Sequence, residues 1–542
     1  MPVPEDYGQS LSATEVYRSF EAGGQNTPSN ISPWIIIGNE SSIIVSTDRS
    51  SCFDRNKIAL KLDVLCEENG VNMCPVGGVG VYNPGFWGMN IEQGKIYKVS
   101  LYVRSSQPIE LSVSLFRSNG LQMLATAVIY GEDVKSWSRK DVLLVAKGTD
   151  SNSRLHLTTS KNGTIWLDQV SVMPLSTHEG HGFRQDLFKM LADLKPGFIR
   201  FPGISINEQV DTSTSSPFVQ DILDALEFAR GDPNSKWGSV RAEMGRSEPF
   251  DLRYVAVGNQ ECNYMKFYNA IKTTHPDIKI ISNCDGSVGL LDHPADLYDF
   301  HVYTSANSMF SMAHNFDRTS RDGPKAFVSE YAVTGNDAGR GSLLKALAEA
   351  GFLMGLERNS DVVEMASNAP LFVNDNDRSF NADAIVFDSS RVYGTPSYWM
   401  QHFFKESNNA ILLDSSLQSS SSNPLIASAI SWKNTENNKN YLRIKVVNFG
   451  SNGVRLSFSV QGLDNNLIDA KGSTITTLTS SNVMDENSFD QPQKVAPVVN
   501  PLKNARTKMD IILPPYSLTS IDLLRKSNVM QPAEFYDVHA SM

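Results

Sequence analysis

The hydrophobic pattern of this chain changes period twice, and that restricts its fold more than any other feature. From about Phe20 to Pro174 apolar residues recur at every second position, as in Gly94–Val103 and Ile109–Leu115. Period two is the signature of a half-buried strand. Several such strands with no long amphipathic helix between them predict a β-sandwich. Between about His181 and Glu406 strand-like runs (Phe198–Phe201, Arg253–Val257, Ile278–Ile281, Asp299–Tyr303, Ala326–Glu330, Val362–Ala366) alternate with helical stripes. One stripe is Phe218, Ile222, Leu223, Leu226 and Phe228; another is Leu343, Leu344, Leu347, Phe352, Leu353 and Leu356. Such alternation predicts parallel strands with crossover helices, hence a barrel or a doubly wound sheet. No Gly-x-Gly-x-x-Gly follows a strand, which favours the barrel. After Asn408 period two returns in Tyr441–Asn448, Val454–Val460, Met509–Leu513 and Ser517–Leu524. Here the serine-rich Ser415–Ser422 is expected to be a loop, and the last dozen residues a loose tail.

A chain of 542 residues exceeds one ordinary core, so a modular β and α/β protein is expected. Its net charge of −11 argues against a nucleic-acid partner, which needs Lys and Arg to displace condensed counterions, whereas a neutral polysaccharide makes no such demand. No run approaches the ~18 apolar residues of a membrane span. Five cysteines without paired Cys-x-x-Cys spacing give no zinc site; Cys66 and Cys74 are either a local disulfide or buried thiols. The first residues have neither the basic start nor the apolar core of a secretory signal. Asn30, Asn39 and Asn162 nevertheless head N-glycosylation sequons. Trp34, Tyr82, Trp87 and Trp137 are either core residues or a sugar-stacking face.

Two strand-like runs end in polar side chains suited to catalysis. Tyr254–Gly258 runs into Asn259, Gln260 and Glu261; Ala326–Ser329 runs into Glu330 and Tyr331. Strand ends of a (β/α) barrel carry its chemistry, and paired carboxylates there suit glycoside hydrolysis. Glu330 fits the capturing carboxylate, and the Asn259 amide a sugar hydroxyl. Arg200, a charge inside the apolar run Phe198–Phe201, is either an internal ion pair or a substrate contact. His301 and Tyr303 share one face of their strand by period two, either packed or facing the site. Cys262 has no His partner nearby, and Asn374–Asp377 lacks the Gly and terminal Glu of a calcium loop.

Taken together, Ser46–Phe53, Tyr82–Met89, Leu291–Thr304, Ala326–Gly341, Asn374–Arg378 and Gly394–Met400 resemble glycoside hydrolase family 51, specifically its plant-type α-L-arabinofuranosidases. The resemblance runs from Phe20 to Leu524. It implies a carbohydrate-binding-like β-sandwich over residues 20–175, a retaining (β/α)8 (TIM) barrel over 181–406 and a C-terminal β-sandwich over 407–526. The implied activity is release of terminal α-L-arabinofuranosyl groups from arabinoxylan and arabinan of the plant cell wall, outside the cell, with no metal or organic cofactor. By position Glu330 resembles the nucleophile, Asn259 the residue preceding the acid/base, and Tyr303 an active-site tyrosine.

The chain departs from that pattern in ways that bear on turnover. The family's strand ends Gly-Asn-Glu, where this one reads Gly258-Asn259-Gln260, and a carboxamide has no proton to give. Glu261 stands in as acid only if a bulge re-aims it. Segments after Gly203 and after Cys262 are shorter than the pattern, and six barrel strands are recognisable instead of eight. Three readings stay open: an arabinofuranosidase with impaired turnover, a non-catalytic carbohydrate-binding paralogue, or a truncated gene product.

Overall fold

The computed structural model describes residues 20, 22–24, 27–53, 57–69, 71–131, 134–200, 216–257, 264–287, 289–378, 381, 383–418, 424–526 and 538–541. Phe201, Asn259, Gln260, Glu261 and Cys262 lie outside them. The chain divides into two compact units. One comprises residues 1–192 with 374–377 and 387–392, and the other takes in the rest.

The first unit is built of antiparallel sheets, as period two requires. In one sheet the strands run Met123–Gly131, Ile109–Phe116, Asp150–Thr159, Val79–Asn83 and Ile35–Ile37, with Met89–Ile91 also pairing the third. In the other they run Ser138–Val145, Ile96–Ser105, Gly163–Pro174, Ala59–Val64 and Ile43–Asp48. Alternate side chains of both sheets, such as Val99, Leu101 and Val103 from one and Leu111, Val113 and Leu115 from the other, form one shared core. Cys66 and Cys74 are joined as a disulfide. Trp34 is a core residue packed on Phe20. Tyr82 stacks on His156 beneath Arg154, and Trp137 lies against Arg104 with its indole N–H donated to the Ser50 carbonyl. Of the four candidate stacking residues, only Trp87 is exposed.

The second unit carries a five-stranded parallel sheet in sequence order: β1 (Tyr254–Val257), β2 (Lys279–Ser282), β3 (Leu297–Thr304), β4 (Lys325–Val333) and β5 (Val363–Asn368). Helices alternate with the strands, including α1 (Ser216–Arg230), α2 (Tyr264–Thr274) and α3 (Leu343–Arg358). The expected strand at Phe198–Phe201 is not formed over Phe198–Arg200. This stretch follows Pro196 and Gly197 and has no ladder partner among the described residues, although Phe198 still packs with the sheet.

The sheet is strongly curled. Strands sit ~4.8 Å apart, so the edges of a flat five-stranded sheet would be about 19 Å apart, beyond the reach of two side chains. Here the Tyr254 hydroxyl on edge strand β1 donates to Glu364 Oε1 on edge strand β5 at 2.6 Å. Lys279 Nζ meets the same oxygen at 2.9 Å. Burial works against the Glu364 carboxylate, but Tyr254, Lys279 and Lys325 hold its pKa below the usual range. Inside the curve each strand contributes one packed residue: Tyr254, Ile281, Leu297, Phe327 and Met365.

Helix α3 was expected to show a single apolar stripe, yet it is buried nearly all round. It packs on Val328 and Val333 of β4 and also on Ile426, Val447 and Leu518 of the C-terminal sheet, so two faces need apolar residues. That sheet orders Ile411–Leu413, Leu425–Lys433, Asn440–Asn448, Ser517–Arg525, Ile468–Thr479 and Val498–Pro501, all antiparallel. A four-stranded sheet runs Ser415–Gln418, Val538–Ser541, Val454–Val460, Lys508–Leu513. Two expectations fail here for one reason. Ser415–Gln418 is a strand, not a loop, and Val538–Ser541 is a strand, not a tail, because together they cover the open edge of Val454–Val460.

Candidate active site

Period two on β3 places Asp299, His301 and Tyr303 on one face. A β-bulge on β4 decides what they meet. Phe327 pairs with Asp299 and Glu330 with His301, so β4 takes three steps where β3 takes two. Against β5 the pairing slips again, from Val328 with Ala366 to Tyr331 with Asn368. The extra residue turns both Ser329 and Glu330 toward β3, which a regular strand forbids for consecutive side chains. Ser329 then donates its hydroxyl proton to Asp299 Oδ1, and Glu330 reaches the next layer.

Three groups converge on the Glu330 carboxylate. Arg200 Nη1 donates to Oε1 at 2.8 Å, and the Tyr303 hydroxyl donates to Oε2 at 2.8 Å. His301 Nδ1 lies 3.6 Å from Oε2, a charge contact beyond hydrogen-bond range. On its other side His301 Nε2 is 2.9 Å from Asp299 Oδ2, close but off the line of a good hydrogen bond. Burial opposes a charged His301 ring and Arg200 adds to that. Asp299 and then Glu330 outweigh both, and the imidazole pKa lies above its ordinary value. The Glu330 side chain is 22% exposed and Tyr303 is open to solvent, so a ligand has access to the carboxylate.

Of the residues singled out from sequence, Arg200, His301, Tyr303 and Glu330 come together. Asn259, Gln260 and Glu261 lie outside the described residues. Asp299 and Ser329 were missed. Asp299 shares the period of His301 and Tyr303 and was legible on that ground, whereas Ser329 joins through a bulge that leaves no mark in the hydrophobic pattern. Ser367 supports the bulge, donating its hydroxyl to the Ser329 carbonyl at 2.6 Å.

A second polar chain has the order of a hydrolytic triad: Ser282 Oγ lies 2.7 Å from His293 Nε2, and His293 Nδ1 lies 2.6 Å from Asp292 Oδ1. Ser282 is fully buried at the end of β2 and accepts the Cys284 N–H, so no substrate reaches its oxygen. It is a clasp on the following loop. Among the described residues no cluster of three or more His, Cys, Asp or Glu is placed to hold a metal. No helix there is long and apolar enough to cross a membrane.

Comparison with known proteins identifies the family of the chain. The family model described as "Alpha-L-arabinofuranosidase 1 domain" matches residues 203–321, and "Alpha-L-arabinofuranosidase C-terminal domain" matches 329–517. Alpha-L-arabinofuranosidase 1 of Arabidopsis thaliana is 57% identical, with 94% of this chain and 85% of the relative aligned. Alpha-L-arabinofuranosidase 2 of the same plant is 52% identical over the same shares. The first alignment spans 583 residues, more than the 542 of this chain, so several dozen positions of the relative have no counterpart here. An arabinose-bound family 51 α-L-arabinofuranosidase has the same fold, with a TM-score of 0.80 at 23% identity and 95% of each chain covered. These comparisons give no support to the non-catalytic alternative. They mark the chain as a glycoside hydrolase acting on arabinose-containing carbohydrates, and it belongs to the plant-type α-L-arabinofuranosidases of glycoside hydrolase family 51.

Proposed function

We propose that the chain is a retaining exo-acting enzyme in which Glu330 is the nucleophile. The observation that carries this reading is the convergence of Arg200, Tyr303 and His301 on its two oxygens. The carboxylate attacks the anomeric carbon of a terminal α-L-arabinofuranosyl group as the bond to the leaving oxygen breaks, and water later releases the sugar. Arg200 and Tyr303 aim the attacking oxygen, and with His301 and Asn259 they contact the sugar.

Gln260 occupies the acid/base position and cannot protonate the leaving oxygen; Glu261 is the substitute acid only if the strand end re-aims it. The parallel sheet is then the core of an incomplete (β/α)8-type barrel over 181–406, which its curl supports. In chain order it is preceded by a carbohydrate-binding-like β-sandwich over 20–175 and followed by a C-terminal β-sandwich over 407–526. Arabinoxylan and arabinan of the cell wall are the substrates on this reading, and the protein is an extracellular glycoprotein. The Cys66–Cys74 disulfide and the exposed sequon residues Asn30, Asn39 and Asn162 support an oxidising compartment.

The test is hydrolysis of an aryl α-L-arabinofuranoside with a good leaving group beside a natural arabinoxylan oligosaccharide, for the parent, Glu330→Gln and Gln260→Glu. Glu330→Gln is expected to lose about 10³-fold or more on the aryl substrate. Gln260→Glu is expected to raise kcat/KM on the oligosaccharide ~100- to 10,000-fold while changing kcat/KM on the aryl substrate little, because glycosylation with a good leaving group needs no acid; aryl kcat should rise as the restored Glu takes the proton of the water that releases the sugar. An active Glu330→Gln would exclude the nucleophile assignment.

A further inference from the structure

We propose that Asp299 is a positioning residue, which through His301 holds an imidazolium against the Glu330 carboxylate. The inference deepens the reading of Glu330 as nucleophile and rests on it for its catalytic consequence alone.

The site has two layers created by the bulge. In the lower layer Ser329 and Asp299 are hydrogen-bonded; in the upper layer Arg200, Tyr303 and His301 surround Glu330. His301 is the group that touches both layers, with Nε2 toward Asp299 and Nδ1 toward Glu330. The Asp299 side chain is 10% exposed and, among the described residues, receives one neutral hydroxyl donor, from Ser329. A carboxylate so enclosed calls for a cation, and among the described residues His301 is the basic group facing it. Among the described residues, the charged and titratable neighbours of His301 are Asp299 and Tyr303 on its own strand, Glu330 on β4 and Arg200 on the incoming segment. Two acids and one permanent cation balance when the ring is protonated. Neutralising Asp299 leaves Glu330 alone to favour the charged ring against burial and Arg200.

The sign follows. With its pKa raised, the ring holds its proton to a higher pH than a free imidazole does, and loses it as pH rises through the folded value. Above that point Glu330 faces a neutral ring. Asp299→Asn keeps an acceptor for Ser329 and removes the charge. It is expected to lower the His301 pKa by about 1 to 3 units, the usual effect of an opposite charge at this range. The upper pH limit of Glu330 reactivity should move down with it.

Two measurements on the full chain test this. Imidazole NMR titration, with the His301 signal identified by its disappearance in His301→Gln, reads the ring directly. Covalent labelling by a 2-deoxy-2-fluoro arabinofuranosyl fluoride, followed by intact mass against pH, reads Glu330. In that reaction a carboxylate oxygen bonds to the anomeric carbon while the carbon–fluorine bond breaks and fluoride departs with the electron pair, so no protein acid is needed. The expected result is a His301 pKa above 6.5 in the parent, a fall in Asp299→Asn, and an alkaline limit of labelling that falls in parallel. A parent His301 titrating at or below 6.5 overturns the proposal even if Asp299→Asn does not fold. So does a His301 pKa unchanged in that variant, or a labelling loss equal at every pH. If the parent is never labelled while His301 titrates high and falls in Asp299→Asn, the imidazolium pairing stands and it is the nucleophile reading that fails.

Discussion

Glu330 takes its character from what is aimed at it. Tyr303 gives its Oε2 one neutral donor and Arg200 gives its Oε1 a charged one, so the two oxygens differ before any substrate binds. A hydrogen bond to a charged partner contributes ~1.5–3 kcal/mol, and removing the hydroxyl in Tyr303→Phe should slow covalent labelling about 10-fold or more. A change under about twofold in the labelling rate would show that this bond does not aim the carboxylate. Much of this residue-level picture was legible in the sequence. Charge inside an apolar run marked Arg200, period two joined His301 to Tyr303, and an acid ending an apolar strand marked Glu330. Ser329 was invisible because a bulge is set by how two strands pair, and the hydrophobic pattern of one strand does not record it.

At the scale of elements, β4 is fixed from behind by the buried polar residues of α3. Lys345 and Glu349 are both fully buried and paired at 2.5 Å, one helical turn apart. Glu349 also accepts the β4 backbone N–H of Val333 at 3.1 Å and the Ser397 hydroxyl at 2.7 Å. The helix therefore clamps the strand three residues beyond Glu330. Lys345→Met leaves Glu349 buried without its cation and should cost ~3–5 kcal/mol in chemical denaturation. Replacing both, as Lys345→Met with Glu349→Leu, should recover part of that loss; a double variant no more stable than the single would argue against an ion-pair origin. The existence of α3 was legible from its leucines. Its burial on two faces was not, since one of the surfaces it meets lies about a hundred residues further along the chain.

For the whole molecule, the curl of the parallel sheet brings its two edge strands, β1 and β5, within reach of one hydrogen bond. Tyr254 and Glu364 tie its two edges, so Tyr254→Phe should lower stability by ~0.5–1.5 kcal/mol, or up to ~3 because Glu364 is charged. Equal denaturation midpoints for parent and variant would mean that the Tyr254 bond does not hold the curl, which then rests on the Lys279–Glu364 pair and on the Ile281, Leu297 and Phe327 core. Stability should also carry a pH signature from Asp383, which is buried with Oδ2 unpartnered among the described residues. Burial, only partly offset by Arg378 and Lys345, raises its pKa to about 7. Below the unfolded carboxyl value, near 3.9, both states are protonated and there is no penalty. As pH rises from there to about 7 the unfolded chain gives up the proton first, so stability falls and stays low above. Asp383→Asn should then gain at most about 4 kcal/mol over the parent at pH 8 and little at pH 4.

The sequence by itself marked the changes between β and α/β patterning, the parallel strands that form the curled sheet, the helices Ser216–Arg230 and Leu343–Arg358, the resemblance to family 51 and the residues Arg200, His301, Tyr303 and Glu330. These are carried by local periodicity and by side-chain chemistry, which a linear chain displays. Only the tertiary structure decided the curl, the bulge that turns Ser329 and Glu330 to one side, the Asp299–His301 contact and the strand at Val538–Ser541. Each of these depends on pairing between segments distant in sequence, and the side that a residue faces is fixed by the register of its partners.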